Sequence, residues 1–305
     1  MHLLLSTIAL RPYVFVFLAA FLLIAIVNYG LRTSLVFLIL TYLAAFACEW
    51  SSVHNGFPFG LYHYIEAPTR DREIWIAGVP FFDSLSFTFL TFASYTLALL
   101  ISAPLYRDGV DLKLLETRAI RRSPRVWFMA ALFMTMVDWV ADPLSVMGDR
   151  WFLGRIFWYD PPGPHFGVPI SNYLGWYFLG LIGIALFQWL DARLNRGTER
   201  PYGMSPAFPS RALLGPGLYF GIVTFTITML FHIGAGQVAW AALFIHLPFV
   251  TMVVHIVTRR ESYGDAIAIT AHLTDFPYDK ISLPDEVMGE RRIHAVRRRG
   301  SSALR

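Results

Sequence analysis

The 305-residue sequence is 56% hydrophobic and 16% aromatic, with only 15% charged residues and a net charge of +4. An average soluble domain carries about 25% charged residues, and the apolar runs here are too many and too long for a soluble core. The one cysteine, Cys48, excludes an intrachain disulfide and a Cys-based metal site, and no basic and aromatic pattern points to nucleic acid.

The opening MHLLLSTIALRPYVF lacks the charged start and small-residue cleavage site of a secretory signal. Beyond it, apolar stretches predict seven helices at roughly 13–30, 33–50, 80–106, 126–147, 169–190, 212–233 and 237–257. Each approaches the ~20 residues needed to cross a bilayer at 1.5 Å per residue. The first is slightly short unless it begins nearer Leu3, which Arg11 opposes; a tight GAGQ turn joins the last two. The expected fold is an all-α polytopic membrane protein, with residues 1–258 as a single helical domain and 259–305 as a basic tail. Cys48 reads as a small apolar residue within a helix.

The basic residues orient the bundle. The N-terminus and the loops 51–79, 148–168 and 234–236 share one side, with five of the 25 Lys and Arg; the other side has the remaining twenty. The positive-inside rule then predicts the N-terminus outside and the C-terminus cytoplasmic, in the plasma membrane. The tail, ending HAVRRRGSSALR, reads as a partly disordered arm near anionic lipid. The outer loops 51–79 and 148–168 are rich in Trp, Tyr, His, Pro and Gly rather than the Ser and Lys of a solvated linker.

The fourth helix contains DWVADP (138–143) in an otherwise apolar run. Thr135, Asp138, Asp142 and Ser145 recur at helical spacing and share one face. Counting from the cytoplasmic end, Asp138 lies about 12 residues in, roughly 18 Å along the axis, with Asp142 one turn further out and Pro143 loosening the backbone after it. The same outer half collects Glu49 at the end of the second helix, Asp83 at the start of the third, Asn172 and Trp176 in the first turns of the fifth, and His232 at the end of the sixth. A buried Asp at a helix centre costs about 3 kcal/mol on insertion scales. Two close carboxyls resist ionising together, so one is expected to carry a proton near neutral pH and to serve as an acid in an apolar cavity. The plainer alternative is that these acids hydrogen-bond neighbouring helices or pair with Arg150 or Arg155. His54, His63 and His165 fall in loops without the spacing of a metal site.

Four segments, GFPFGLYHY (56–64), AGVPFF (77–82), DWVADP (138–143) and FGVPISNYLGW (166–176), occur in the order in which they are found in the CruF-type family of carotenoid biosynthesis proteins. Residues 45 to 190 resemble that family of membrane carotenoid 1,2-hydratases, which includes the bisanhydrobacterioruberin hydratases. The resemblance implies addition of water across the 1,2 double bond of an acyclic carotenoid end group, giving a tertiary alcohol, with no cofactor. The partners implied are a lycopene-like or monocyclic carotenoid with an acyclic end, water and the bilayer; a homo-oligomer is compatible with them.

Such chemistry needs an acid in a dry pocket, aromatic faces that tolerate a cation, and one placed water. Asp142 or Asp138 is the acid, with a slight preference for Asp142 because it is nearer the outer loops and Glu49; its partner accepts the hydrogen bond or acts as base. Glu49 and Asn172 are candidates to orient the water. Tyr62, Tyr64, Trp158 and Trp176 are candidates for π faces, and Asp83 and His54 complete the expected substrate-binding set. Three rivals remain. An intramembrane prenyltransferase also carries DxxxD, but a second Asp-rich motif is missing and the outer side has few basic residues for a diphosphate. A carotenoid cyclase uses the same cation but excludes water. A transporter requires polar residues through the cytoplasmic half, where His246 and His255 are the main exceptions to an apolar lining.

Overall fold

The computed structural model describes residues 2–148, 155–194, 209–277, 279 and 281. Ten helices appear among them: α1 (His2–Leu10), α2 (Pro12–Tyr29), α3 (Leu31–Asn55), α4 (Phe81–Ser102), α5 (Arg118–Arg121), α6 (Pro124–Val146), α7 (Ile170–Leu194), α8 (Leu214–His232), α9 (Gly236–Thr258) and α10 (Ala266–Asp275). Seven of them, all but α1, α5 and α10, are long and apolar enough to cross a membrane.

Three boundaries depart from the sequence expectation, each for a local reason. The apolar residues before Arg11 form a separate helix, and α2 starts with Pro12 at its first position, where the missing N–H costs nothing. The second spanning helix runs past Glu49 to Asn55 and stops only where Gly56 adopts a left-handed φ of +80°; Glu49 is therefore inside the helix, not at its end. The third stops at Ser102, because Leu105–Asp108 (β4) and Asp111–Leu114 (β5) form a hairpin around Gly109.

Helix α4 is the hub. It is buried along nearly its whole length and packs against α2, α3, α6 and α8. Its Thr88 and Thr91 hydroxyls donate to the Leu85 and Phe87 carbonyls at 2.7 and 2.6 Å, which lets small polar side chains enter an apolar interface without an orphan donor. Helix α7 comes close through glycines: a Cβ on Gly180 would sit 3.0 Å from the Ala131 Cα of α6, and one on Gly183 would sit 3.0 Å from the Thr91 Cγ2 of α4. Helix α6, which carries both aspartates, starts from Ser123, whose hydroxyl accepts from the Val126 N–H, followed by Pro124.

The two aromatic loops are tied together. Tyr62–Tyr64 (β1) pairs antiparallel with Phe157–Tyr159 (β6), with Tyr62 opposite Tyr159, His63 opposite Trp158 and Tyr64 opposite Phe157. A shorter pair, Trp75–Ile76 (β2) with Val79–Pro80 (β3), leads directly into α4. This end is locked by an ion pair that the sequence did not announce. Arg11, 2% exposed, is bonded to Glu73 through its Nε at 2.9 Å and lies over the Phe82 ring at 4.3 Å.

The opposite end has its own polar network. Arg121 bonds Glu116 at 2.7 Å and Asp191 at 3.2 Å. Helix α10 folds back beside it, with Asp275 accepting from the Arg118 N–H at 2.7 Å and His272 Nδ1 lying 2.6 Å from the Glu116 carbonyl. Of the basic tail expected over 259–305, the part up to 277 carries α10 and packs on the bundle, while residues 278, 280 and 282–305 lie outside the described residues.

Candidate functional site

The site lies under the paired loops. On α6 the four-residue spacing points both aspartates the same way, but Thr135 and Ser145, on the same face, donate back to the Ala131 and Ala141 carbonyls of their own helix. Of these four, the two acids are the ones bonded to other elements among the described residues. Asn172, in the first turn of α7 and 1% exposed, donates from one Nδ2 to Asp138 Oδ2 at 2.6 Å and to Asp142 Oδ2 at 2.7 Å. The Tyr159 hydroxyl donates to the same Asp142 oxygen at 2.7 Å. Asp138 is fully buried and its Oδ1 has no hydrogen-bond partner among the described residues. Two carboxyls gathered on one amide nitrogen form a pair suited to hold one proton between them.

A second carboxyl pair faces the first. Glu49, 1% exposed, accepts from the Tyr64 hydroxyl at 3.1 Å and from the Ser84 hydroxyl. The Tyr64 hydroxyl also lies 2.5 Å from Asp83 Oδ2 and 3.3 Å from the Tyr62 hydroxyl. One phenol has a single proton to give, so three oxygen neighbours around Tyr64 require protons from more than one member of the group. Asp83 occupies the first turn of α4, where the helix dipole favours negative charge. Burial pushes the Tyr62, Tyr64 and Tyr159 phenols well above their ordinary value of 10.0, and the neighbouring carboxylates push them further. All three therefore keep their protons, and Tyr64 and Tyr159 donate to carboxyl oxygens.

Strand alternation decides which loop aromatics take part. Tyr62, Tyr64, Phe157 and Tyr159 project from one face of the β1–β6 ribbon into the bundle, while His63 and Trp158 meet at a tilt on the other face with ring centroids 4.7 Å apart, Trp158 being 41% exposed.

Two chambers meet at the carboxyls. The smaller, about 30 Å³, is lined by Glu49, Tyr62, Tyr64, Asp83, Asp142, Tyr159 and Asn172 with Phe59, Phe87, Phe157 and Trp176. It has room for one or two water molecules among polar partners. The larger, about 100 Å³, is mostly apolar and lies between α2, α4, α6 and α8. Asp83, Asp142, Phe157 and Trp176 line both. The Trp176 ring stacks on Phe87 at 4.2 Å and 22°.

Of the side chains expected from sequence, Glu49, Tyr62, Tyr64, Asp83, Asp138, Asp142, Asn172 and Trp176 come together here. Trp158 stands on the outward face of its strand. His54, expected in a loop, is instead in the last turn of α3 and exposed, with its ring on Trp50 and Nδ1 2.7 Å from the Trp50 carbonyl. His232 ends α8 but is exposed. His165 packs on Trp139 and lies 2.5 Å from the Tyr173 hydroxyl. Arg155 donates to the Val146 carbonyl at 3.3 Å rather than to an aspartate, and Arg150 lies outside the described residues. Among the described residues, no group of three or more His, Cys, Asp and Glu side chains is arranged to hold a metal ion. Residues that the sequence reading passed over are Tyr159, Ser84 and the Arg11–Glu73 pair. The alternation in YHY and FWY was the available signal for Tyr159; the other two depend on contacts between distant segments.

Residues 4–254 match the model of a protein family described as carotenoid biosynthesis protein. No curated protein and no solved structure matches the chain at a significant level.

Proposed function

The chain belongs to the carotenoid biosynthesis protein family, and from that premise we propose that it is a carotenoid hydratase, adding water across the terminal 1,2 double bond of an acyclic carotenoid end group. The observation that carries this reading is the position of Asp142, in the wall shared by a water-sized polar chamber and an apolar one. An acid there touches an alkene on one side, while water waits on the other.

In the proposed reaction Asp142 gives its proton to the less substituted alkene carbon, leaving a tertiary cation. The negative charge that develops on Asp142 is met by the Tyr159 hydroxyl and the Asn172 amide, both already in place. Asp138, sealed behind Asp142, is a positioning residue that shares the proton of the pair. Trp176 and Phe157 present aromatic faces to the cation. A water in the polar chamber attacks the cation, and the Glu49–Asp83 pair takes its spare proton through the Tyr64 cluster. Asp142 loses one proton and the facing pair gains one, so return of that proton across the chamber resets the site and the net change is addition of one water. A cyclase needs the same acid without water, so the polar chamber beside Asp142 favours hydration. The charge distribution further supports a chain with its loop-capped end outside the plasma membrane and its basic tail in the cytoplasm.

The test is expression in a lycopene-producing host supplied with oxygen-18 water. The expected product is a tertiary alcohol carrying the label. Unlabelled alcohol would point to an oxygenase, and no product from any acyclic carotenoid would overturn the assignment.

A further inference from the structure

The apolar chamber is too small for its proposed substrate. A cavity of about 150 Å³ accommodates benzene, six carbons, so the ~100 Å³ here accommodates about four, the size of a dimethyl-substituted alkene terminus. The rest of a long isoprenoid chain must leave the chamber, and the walls differ in what lies behind them. In the most apolar stretch of α4, 83% of the residues are buried, against 17% in α2. Towards the loops the chamber is closed by Ile156, Phe157 and the carboxyls. The remaining wall, between α2 and α8, is made of three half-buried rings. Tyr13 stacks on Phe225 at 5.5 Å and 18°, and Phe17 meets Phe225 edge-on at 5.5 Å and Phe89 at 5.8 Å. Next to Phe17 in the chain, Val16 of α2 is 65% exposed, and next to Phe225, Thr224 of α8 is exposed as well.

We propose that Tyr13, Phe17 and Phe225 form a lateral portal between α2 and α8, through which a linear isoprenoid chain passes from the lipid while its end group occupies the chamber. This rests on reading the chamber as the end-group site. Aromatic side chains turn about two torsions and need no backbone shift to swing aside. Among the described residues no Lys or Arg lines the chamber, so the portal selects an uncharged polyene over a prenyl diphosphate.

The test joins Phe17→Cys and Phe225→Cys, in a Cys48→Ser background, with a short bis-methanethiosulfonate linker that dithiothreitol releases. Uptake of lycopene from vesicles is read by the absorbance that co-elutes with the purified protein on gel filtration, which requires no turnover. Linked protein is expected to load at least tenfold more slowly than the unlinked double variant and to recover on reduction. Phe225→Trp, which fills the portal without a linker, is expected to load several-fold more slowly at an unchanged elution volume. Equal loading of linked and unlinked protein would overturn the portal alone. Failure of the unlinked protein to take up any polyene would overturn both the portal and the site reading beneath it. Slow loading of linked protein without alcohol formation by any form would leave the portal standing and remove the hydratase.

Discussion

Replacing Tyr159 by Phe removes one oxygen and tests the division of labour at the acid. The ring stays in its contacts with Tyr62 and Phe157, but Asp142 loses the donor now 2.7 Å from its Oδ2. A hydrogen bond to a charged group is worth about 1.5–3 kcal/mol, and each 1.36 kcal/mol on a barrier is tenfold in rate. Because the carboxylate charge appears only as the proton leaves, the loss falls on the transition state, and kcat is expected to drop about ten- to a hundredfold with little change in KM. Asn172 still holds the same oxygen, which keeps the effect short of abolition. The assay is the initial rate of alcohol formation in membranes at saturating carotenoid, with thermal unfolding measured alongside. Trp158→Phe, one residue away on the outward face, is expected to stay within twofold of the parent. A Tyr159→Phe rate within twofold of the parent, or an equal loss in Trp158→Phe, would refute both the strand register and the role assigned to the phenol.

Further outcomes follow from the same geometry. Asp142→Asn is expected to abolish turnover while the protein still inserts and elutes normally; Asp138→Asn, which cannot touch substrate, is expected to keep measurable activity, and the reverse order of effects would exchange their roles. Arg11→Leu strands the Glu73 carboxylate in a buried site and is expected to cost about 3–5 kcal/mol, whereas the Arg11→Leu, Glu73→Leu double variant recovers much of it; chemical denaturation of the two compares them directly. Gly183→Val forces a side chain against Thr91 and is expected to destabilise by about 1–3 kcal/mol through overpacking between α7 and α4, lowering the thermal midpoint. Added Mg²⁺ or EDTA is expected to leave the rate unchanged, and strict Mg²⁺ dependence would favour a prenyltransferase.

Much of the bundle follows from local pattern. Apolar length alone located the seven spanning helices, because a bilayer imposes one length on every crossing. The four-residue spacing of Asp138 and Asp142 fixed their common face, because α-helical geometry leaves no alternative. The early residues of the third and fifth helices, Asp83 and Asn172, belonged to the same end of the bundle by connectivity alone. Only the tertiary structure decided the rest. Glu49 lies inside α3 because a glycine six residues after the expected stop ends the helix. Tyr159 and not Trp158 meets Asp142 because a two-residue alternation operates only once β1 has found β6, nearly a hundred residues away. Arg11 is buried because Glu73, across a loop, neutralises it. Asp142 differs from Asp138 in touching both chambers, and that difference arises from the packing of α4, α7 and α8 around α6, which no single segment of sequence encodes.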